Sequence, residues 1–229
     1  MYEADIFMSI GPGCRAIHYL RRNKLTWFAA PLDWQLVYSL DTVLHLYETH
    51  FSDFLTDIRE IEAKPGAEHR AIYDVGNDMK CLHHFPKDVS LKVGQAYVKN
   101  LTKLRYVRSE KALNEAKKIV FLGYWDAKEE DLLRFFETFI QQYPGKEISL
   151  YNVRNVPEEP DVRQKEIMIS DKLRFVEYSF NDKGTEPGLE WVGNKFYWEQ
   201  IIKQFRLSPE SQKRREEACQ KSSKYIEKF

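Results

Sequence analysis

The apolar positions of this chain follow two periods, and the switches between them mark out its elements. Asp5–Ile10 (DIFMSI) is a short apolar run and reads as a buried strand; Gly11, Pro12 and Gly13 stop it. Helical spacing begins at Cys14, with Ile17 and Leu20–Arg21 in phase, and ends near Asn23. Pro31-Leu32-Asp33-Trp34 reads as a turn into a second helix, whose stripe is Leu36, Leu40, Val43, Leu44 and Tyr47. Residues 56–70 are polar, are broken by Pro65-Gly66, and read as loop. Ala71–Val75 and Met79–His84 flank Gly76-Asn77-Asp78, the composition of a hairpin and its turn. Residues 88–117 are helical and charged. Ile119–Tyr124 (IVFLGY) is apolar throughout, as in a strand covered on both faces. Leu132, Phe135, Phe136, Phe139 and Ile140 give 128–142 one apolar helical face. Ile148–Val153, Glu166–Ile169 and Leu173–Tyr178 read as strands, Trp198–Phe205 as a helix, and the tail from Ser208 as a polar helix.

Strand, helix and strand alternate in the second half. This predicts an α/β (or α+β) fold, a mixed central sheet flanked by helices, with an N-terminal strand-turn-helix carrying Cys14. No repeat or low-complexity linker interrupts residues 1–229, so one domain is expected, with 56–87 as a rim or flap and 208–229 as a polar C-terminal helix.

Composition narrows the function classes. The chain has 229 residues, 43% of them hydrophobic and 14% aromatic, which suits a packed core. Thirty-five basic residues balance 35 acidic ones, so bulk charge gives no reason to expect a nucleic-acid partner. No stretch approaches the roughly 18 apolar residues of a membrane helix, and MYEADIFMSIGPG lacks the basic start of a secretory signal. Three cysteines (Cys14, Cys81 and Cys219) fit a reducing compartment, and a cytoplasmic location is expected. No close-spaced ligand set is present, so neither metal nor cofactor is expected. The GPG turn is neither a phosphate-binding GxxxxGK[ST] loop nor a GxGxxG fingerprint, because Ala16 stands where the third glycine would be.

Cys14 is the first candidate for chemistry. Placed at a helix N-terminus after a glycine-flanked turn, it would meet unpaired N–H groups and the positive end of the helix dipole. Both favour a thiolate with a depressed pKa, and the same N–H groups can hold an oxyanion. A thiol nucleophile needs a base, and Cys81-Leu82-His83-His84-Phe85-Pro86 supplies two histidines on a strand. Alternation sends them to opposite faces, so one can meet the thiol. An orienting third group would be Asp33, whose competing role is to cap the following helix, or Asn152. Arg21, Arg22 and His84 are candidate substrate-binding residues for an anionic group. Trp27-Phe28, Trp191 and Tyr197-Trp198 read as core. Ser9 lacks the G-x-S-x-G elbow of a serine nucleophile.

Ser9–Trp34 (SIGPGCRAIHYLRRNKLTWFAAPLDW) resembles a bacterial domain family described as papain-like cysteine peptidases, with its S-L-G-x-x-C, L-R-R and P-F-D-W pattern. FSDFL (Phe51–Leu55) is similar to the family's F-x-x-F-L, HHFP (His83–Pro86) to its H-D-F-P, and Trp191-Val192-Gly193 with Trp198 to its W-x-G…W. The chain departs at Leu32, where the family has Phe, and at His84, where it has Asp. The resemblance implies a Cys14 nucleophile and a His83 base. The expected function is therefore a thiol hydrolase or acyl transferase acting on a peptide, amide or acyl substrate. The alternative is a non-catalytic binding or interaction domain linked to surface-polysaccharide metabolism, holding an anionic ligand at the Cys14 turn with Arg21 and Arg22. The oligomeric state is left open.

Overall fold

The computed structural model describes residues 1–226 apart from Val37 and Thr185. Its centre is a five-stranded sheet of β2 (Ile6–Ser9), β7 (Lys118–Gly123), β8 (Glu147–Asn155), β10 (Leu173–Phe180) and β9 (Arg163–Met168), in that spatial order. The first four strands are parallel and β9 runs antiparallel to β10. The side-chain period of two sorts the sheet's residues onto its two faces. Ile119, Phe121, Ile148, Leu150 and Phe175 join one buried cluster, while Val120, Leu122, Tyr151, Val153 and Val176 join another. This is why β7 is apolar at every core position: both its faces are covered. Charged, exposed residues of β9 blunt one edge of the sheet.

Helices α1 (Arg15–Arg22) and α5 (Lys195–Ile202) cover one face, with the Tyr19 and Trp198 rings stacked 5.0 Å apart. Helices α2 (Leu40–Glu48) and α4 (Glu129–Phe139) cover the other. A second sheet is antiparallel, in the order β3 (Gln35–Leu36), β6 (Met79–Pro86), β5 (His69–Asp74), β4 (Ile58–Ile61). Ile72, Met79, Cys81 and Phe85 bury its inner face in the same cluster as α2, α4 and the 25-residue α3 (Leu91–Glu115). The expected mixed α/β architecture is therefore present, and the 56–87 region is most of a sheet. No described helix is long and apolar enough to cross a membrane.

Three local expectations differ. The second helix begins at Leu40, where Ser39 Oγ accepts from Thr42 N at 3.1 Å, and Leu36 pairs with Lys80 of β6 instead of joining the stripe. Residues 58–61 of the expected loop are β4. Helix α5 starts at Lys195, capped by Asn194, and Phe205 opens β11 (Phe205–Leu207), which runs parallel to β1 (Tyr2–Ala4). The polar tail is α6 (Pro209–Ile226).

Candidate active site

The site forms at the carboxyl end of the parallel strands, where ligands gather in open α/β sheets. After β2, Gly11 passes so close to β7 that a Cβ there would lie 2.4 Å from Tyr124 N. Gly13 has φ +92°, a left-handed conformation, and its N–H donates to the Gln35 carbonyl at 2.8 Å. These two residues turn the chain so that Cys14 is the N-cap of α1. Gln35 faces Cys81 across the β3–β6 ladder, so the turn is tied directly to the strand that carries the histidines.

On that strand His83 points outward, and its Nε2 lies 3.9 Å from Cys14 Sγ. This is hydrogen-bonding range for sulfur and the loose end of what a resting thiol–imidazole pair shows. His83 Nδ1 has no hydrogen-bond partner among the described residues. His84 faces the other way, against Cys81 Sγ at 3.7 Å and Arg105 at 3.0 Å, and burial pushes it down to about 4. It is a neutral structural group and does not reach the thiol.

Electrostatics correct one expectation. Burial pushes the Cys14 thiol up to about 11, with Arg15 acting only weakly against it, and burial together with His69 lowers His83. Both shifts favour a thiol beside a neutral imidazole over a thiolate–imidazolium pair. The oxyanion donors also narrow. Gly13 N–H is committed to Gln35, which leaves the N–H groups from Cys14 onward at the open end of α1 as the candidate oxyanion donors.

Neither expected third member touches His83. Asp33 is fully buried; it accepts from Ser9 Oγ at 2.6 Å and Ala30 N at 2.9 Å, with Arg21 at 3.6 Å. Asn152 clamps Trp125, accepting from its N–H at 2.9 Å and donating to its carbonyl at 3.1 Å. Arg21 also lies 5.7 Å over Trp34, at the site's mouth. Arg22 is exposed beside His18 and Trp191, lining a separate small pocket. Among the described residues no three His, Cys, Asp or Glu side chains group as metal ligands.

Two residues not singled out for chemistry stand beside the pair, one against His83 and the other held by Arg15. Trp34 stands edge-on to His83, with ring centroids 6.3 Å apart, and 6.3 Å from Trp191, which is 43% exposed rather than core. Arg15 holds the Trp191 loop through its carbonyl (3.0 Å) and is itself anchored by Asp182 at 2.7 Å. Trp34 has φ +68°, a strained conformation for so bulky a residue. Trp34→Gly should relieve roughly 1 kcal/mol of backbone strain while removing the ring beside His83. The melting temperature should stay within a few degrees while Cys14 reactivity towards bulky acyl probes changes; a large loss of stability would make Trp34 a packing residue instead.

Asp33 supplies a pH signature. Burial raises its pKa to about 6, more than Ser9, Arg21 and Ala30 lower it. A raised folded-state pKa stabilises the fold below the unfolded value of about 4, and that contribution is lost as pH climbs through about 6. Melting curves between pH 4 and 7 should show the parent losing stability relative to Asp33→Asn; parallel curves would contradict the assignment.

Compared with known proteins, the chain matches no family model, no curated protein and no solved structure.

Proposed function

We propose that this protein is a thiol hydrolase or acyl transferase with Cys14 as nucleophile and His83 as general base, in the manner of papain-like cysteine peptidases. The observation that carries the reading is the 3.9 Å approach of Cys14 Sγ to His83 Nε2 at the N-terminus of α1. Sγ attacks a substrate carbonyl carbon, and its proton passes to Nε2 as the S–C bond forms. The carbonyl oxygen, now an oxyanion, takes the Cys14 and Arg15 N–H groups. On collapse His83 returns the proton to the leaving amine or thiol, leaving an acyl thioester on Cys14. Water, or a second nucleophile in a transferase, then gives its proton to His83, attacks the thioester, and releases the acyl product and the free thiol. A neutral resting pair suits this sequence, because the imidazole is already an acceptor. The absence of a disulfide among the described residues is compatible with the cytoplasm.

The test is a panel of peptide, amide and thioester substrates followed by intact-mass spectrometry. An acyl adduct should appear on Cys14, vanish in Cys14→Ala, and form at least about 100-fold more slowly in His83→Ala, while Cys81→Ala behaves as the parent. Adducts that form equally well without His83 would sink the reading and favour the anion-binding alternative.

A further inference from the structure

Helix α3 carries two stripes on opposite faces. Val98, Thr102, Tyr106, Ser109 and Leu113 recur at steps of three and four and are buried against the body. Half a turn away, Val93, Tyr97, Leu104 and Val107 keep the same phase and are 56%, 56%, 63% and 57% exposed. They are four of the ten large apolar side chains exposed among the described residues, gathered on one face about 21 Å long. A helix packed on one side ordinarily turns polar residues to water. Here the inner stripe holds two hydroxyls, and the outer one holds aliphatic and aromatic groups. The outer stripe therefore calls for a cover of its own.

Charge says what that cover is. Between Leu91 and Glu115 stand six basic residues and two acidic ones, in a chain whose total is zero. Both acids are taken: Glu110 accepts from the Tyr143 hydroxyl at 2.7 Å, and Glu115 from Arg214 at 2.8 Å. Lys92 and Lys103 flank the stripe on one side, Arg108 flanks it on the other, and Lys111 stands at its end. All four are exposed, and none has an ion-pair partner among the described residues.

A second copy of this chain would bring the same four cations to the contact, and like charges oppose it. A nucleic acid would meet the cations but leave the apolar stripe in water. An anionic lipid surface satisfies both. Val93, Leu104 and Val107 would enter the boundary between headgroups and acyl chains, with the Tyr97 ring at headgroup level. The lysine and arginine stems would carry their charges to lipid phosphates on either side. The stripe is a ridge, which a bilayer admits without a shaped groove, and Asn100 in its middle keeps the insertion shallow. We infer that α3 is the contact through which the folded protein associates, peripherally and reversibly, with an anionic membrane surface.

The full chain is tested by co-sedimentation with extruded vesicles, one set of phosphatidylcholine alone and one with about 30% phosphatidylserine, near physiological salt. Partitioning onto the anionic set should be at least about tenfold stronger. Leu104→Gln with Val107→Gln, at exposed positions where glutamine keeps the helix, should weaken it several-fold. Lys103→Gln, Arg108→Gln and Lys111→Gln together should erase the preference for the anionic set. The same loss of charge at the exposed Lys172, Lys183 and Lys213 should leave it in place. No binding, equal binding to both sets, or a preference that survives the change on α3 would each overturn the inference. Binding to soluble polyglutamate without binding to vesicles would reassign the face to an acidic protein segment and overturn it as well.

Discussion

Iodoacetamide should label Cys14 slowly at neutral pH, with a rate that climbs about tenfold per pH unit towards a plateau near pH 11. The thiolate is the reactive form, and burial of Cys14 disfavours it more than Arg15 favours it. The helix N-terminus pulls in the opposite direction, so the observed midpoint measures which influence wins. A midpoint below the ordinary thiol value of about 8.5 would mean that the dipole and His83 prevail and that the resting state is an ion pair. Two comparisons sharpen the result. Cys81 is buried and pushed up to about 12, so it should label more slowly than Cys14 at every pH. His83→Ala should slow labelling of Cys14 several-fold near neutrality, by removing the proton acceptor, while leaving the high-pH plateau in place. A variant whose midpoint rises sharply would instead identify His83 as the cation holding a thiolate.

Asp182→Ala should lower the melting temperature by roughly 6–12 °C, equivalent to about 3 kcal/mol for a chain of this size. Asp182 has a fully buried side chain and answers four groups: Arg15 at 2.7 Å, Asn194 N at 2.6 Å, Trp198 Nε1 at 3.0 Å and the Tyr124 hydroxyl. Removing it leaves a largely buried guanidinium without a counter-charge, a buried indole N–H unpaired, and α5 without its anchor at Asn194. Asp182→Asn should cost less, because an amide oxygen can still accept from Asn194 and Trp198, although it cannot neutralise Arg15. Arg15 also holds the Trp191 carbonyl, so both variants should loosen the Trp191 loop, and labelling of the thiol should become faster even as the fold weakens. A melting temperature within about 2 °C of the parent would show that water or Tyr124, which also bonds Arg15, replaces the carboxylate.

Residue patterning carried most of the sheet. The unbroken apolar run of β7 and the Gly-Asn-Asp turn before β6 announce themselves because burial on two faces and left-handed turn geometry each demand particular residues. Strands β1, β3 and β11 have three residues or fewer. That is too short for a period to show, and only their partners define them. The same distinction holds at the site. Cys14 was legible from the strand–glycine–helix pattern, and the choice between His83 and His84 from the family resemblance. The third member was not, because Asp33 and Asn152 both turn to backbone and to their own buried partners instead of to an imidazole. Trp191 looks like core by residue type, and only its approach to Trp34, which itself stands edge-on to His83, shows it beside the site. The Arg15–Asp182 pair spans 167 residues, and no local pattern signals it.

The spacing of these residues also has a consequence in time. His83 follows Cys14 by 69 residues and Asp182 by 168, and each belongs to a different stretch of the fold. Until β6 has paired with β3, the thiol has no imidazole; until the segment after β10 has docked, Arg15 has no anchor. A chain clipped before β6 thus carries a cysteine without its imidazole, and one clipped before Asp182 carries Arg15 without its buried counter-charge.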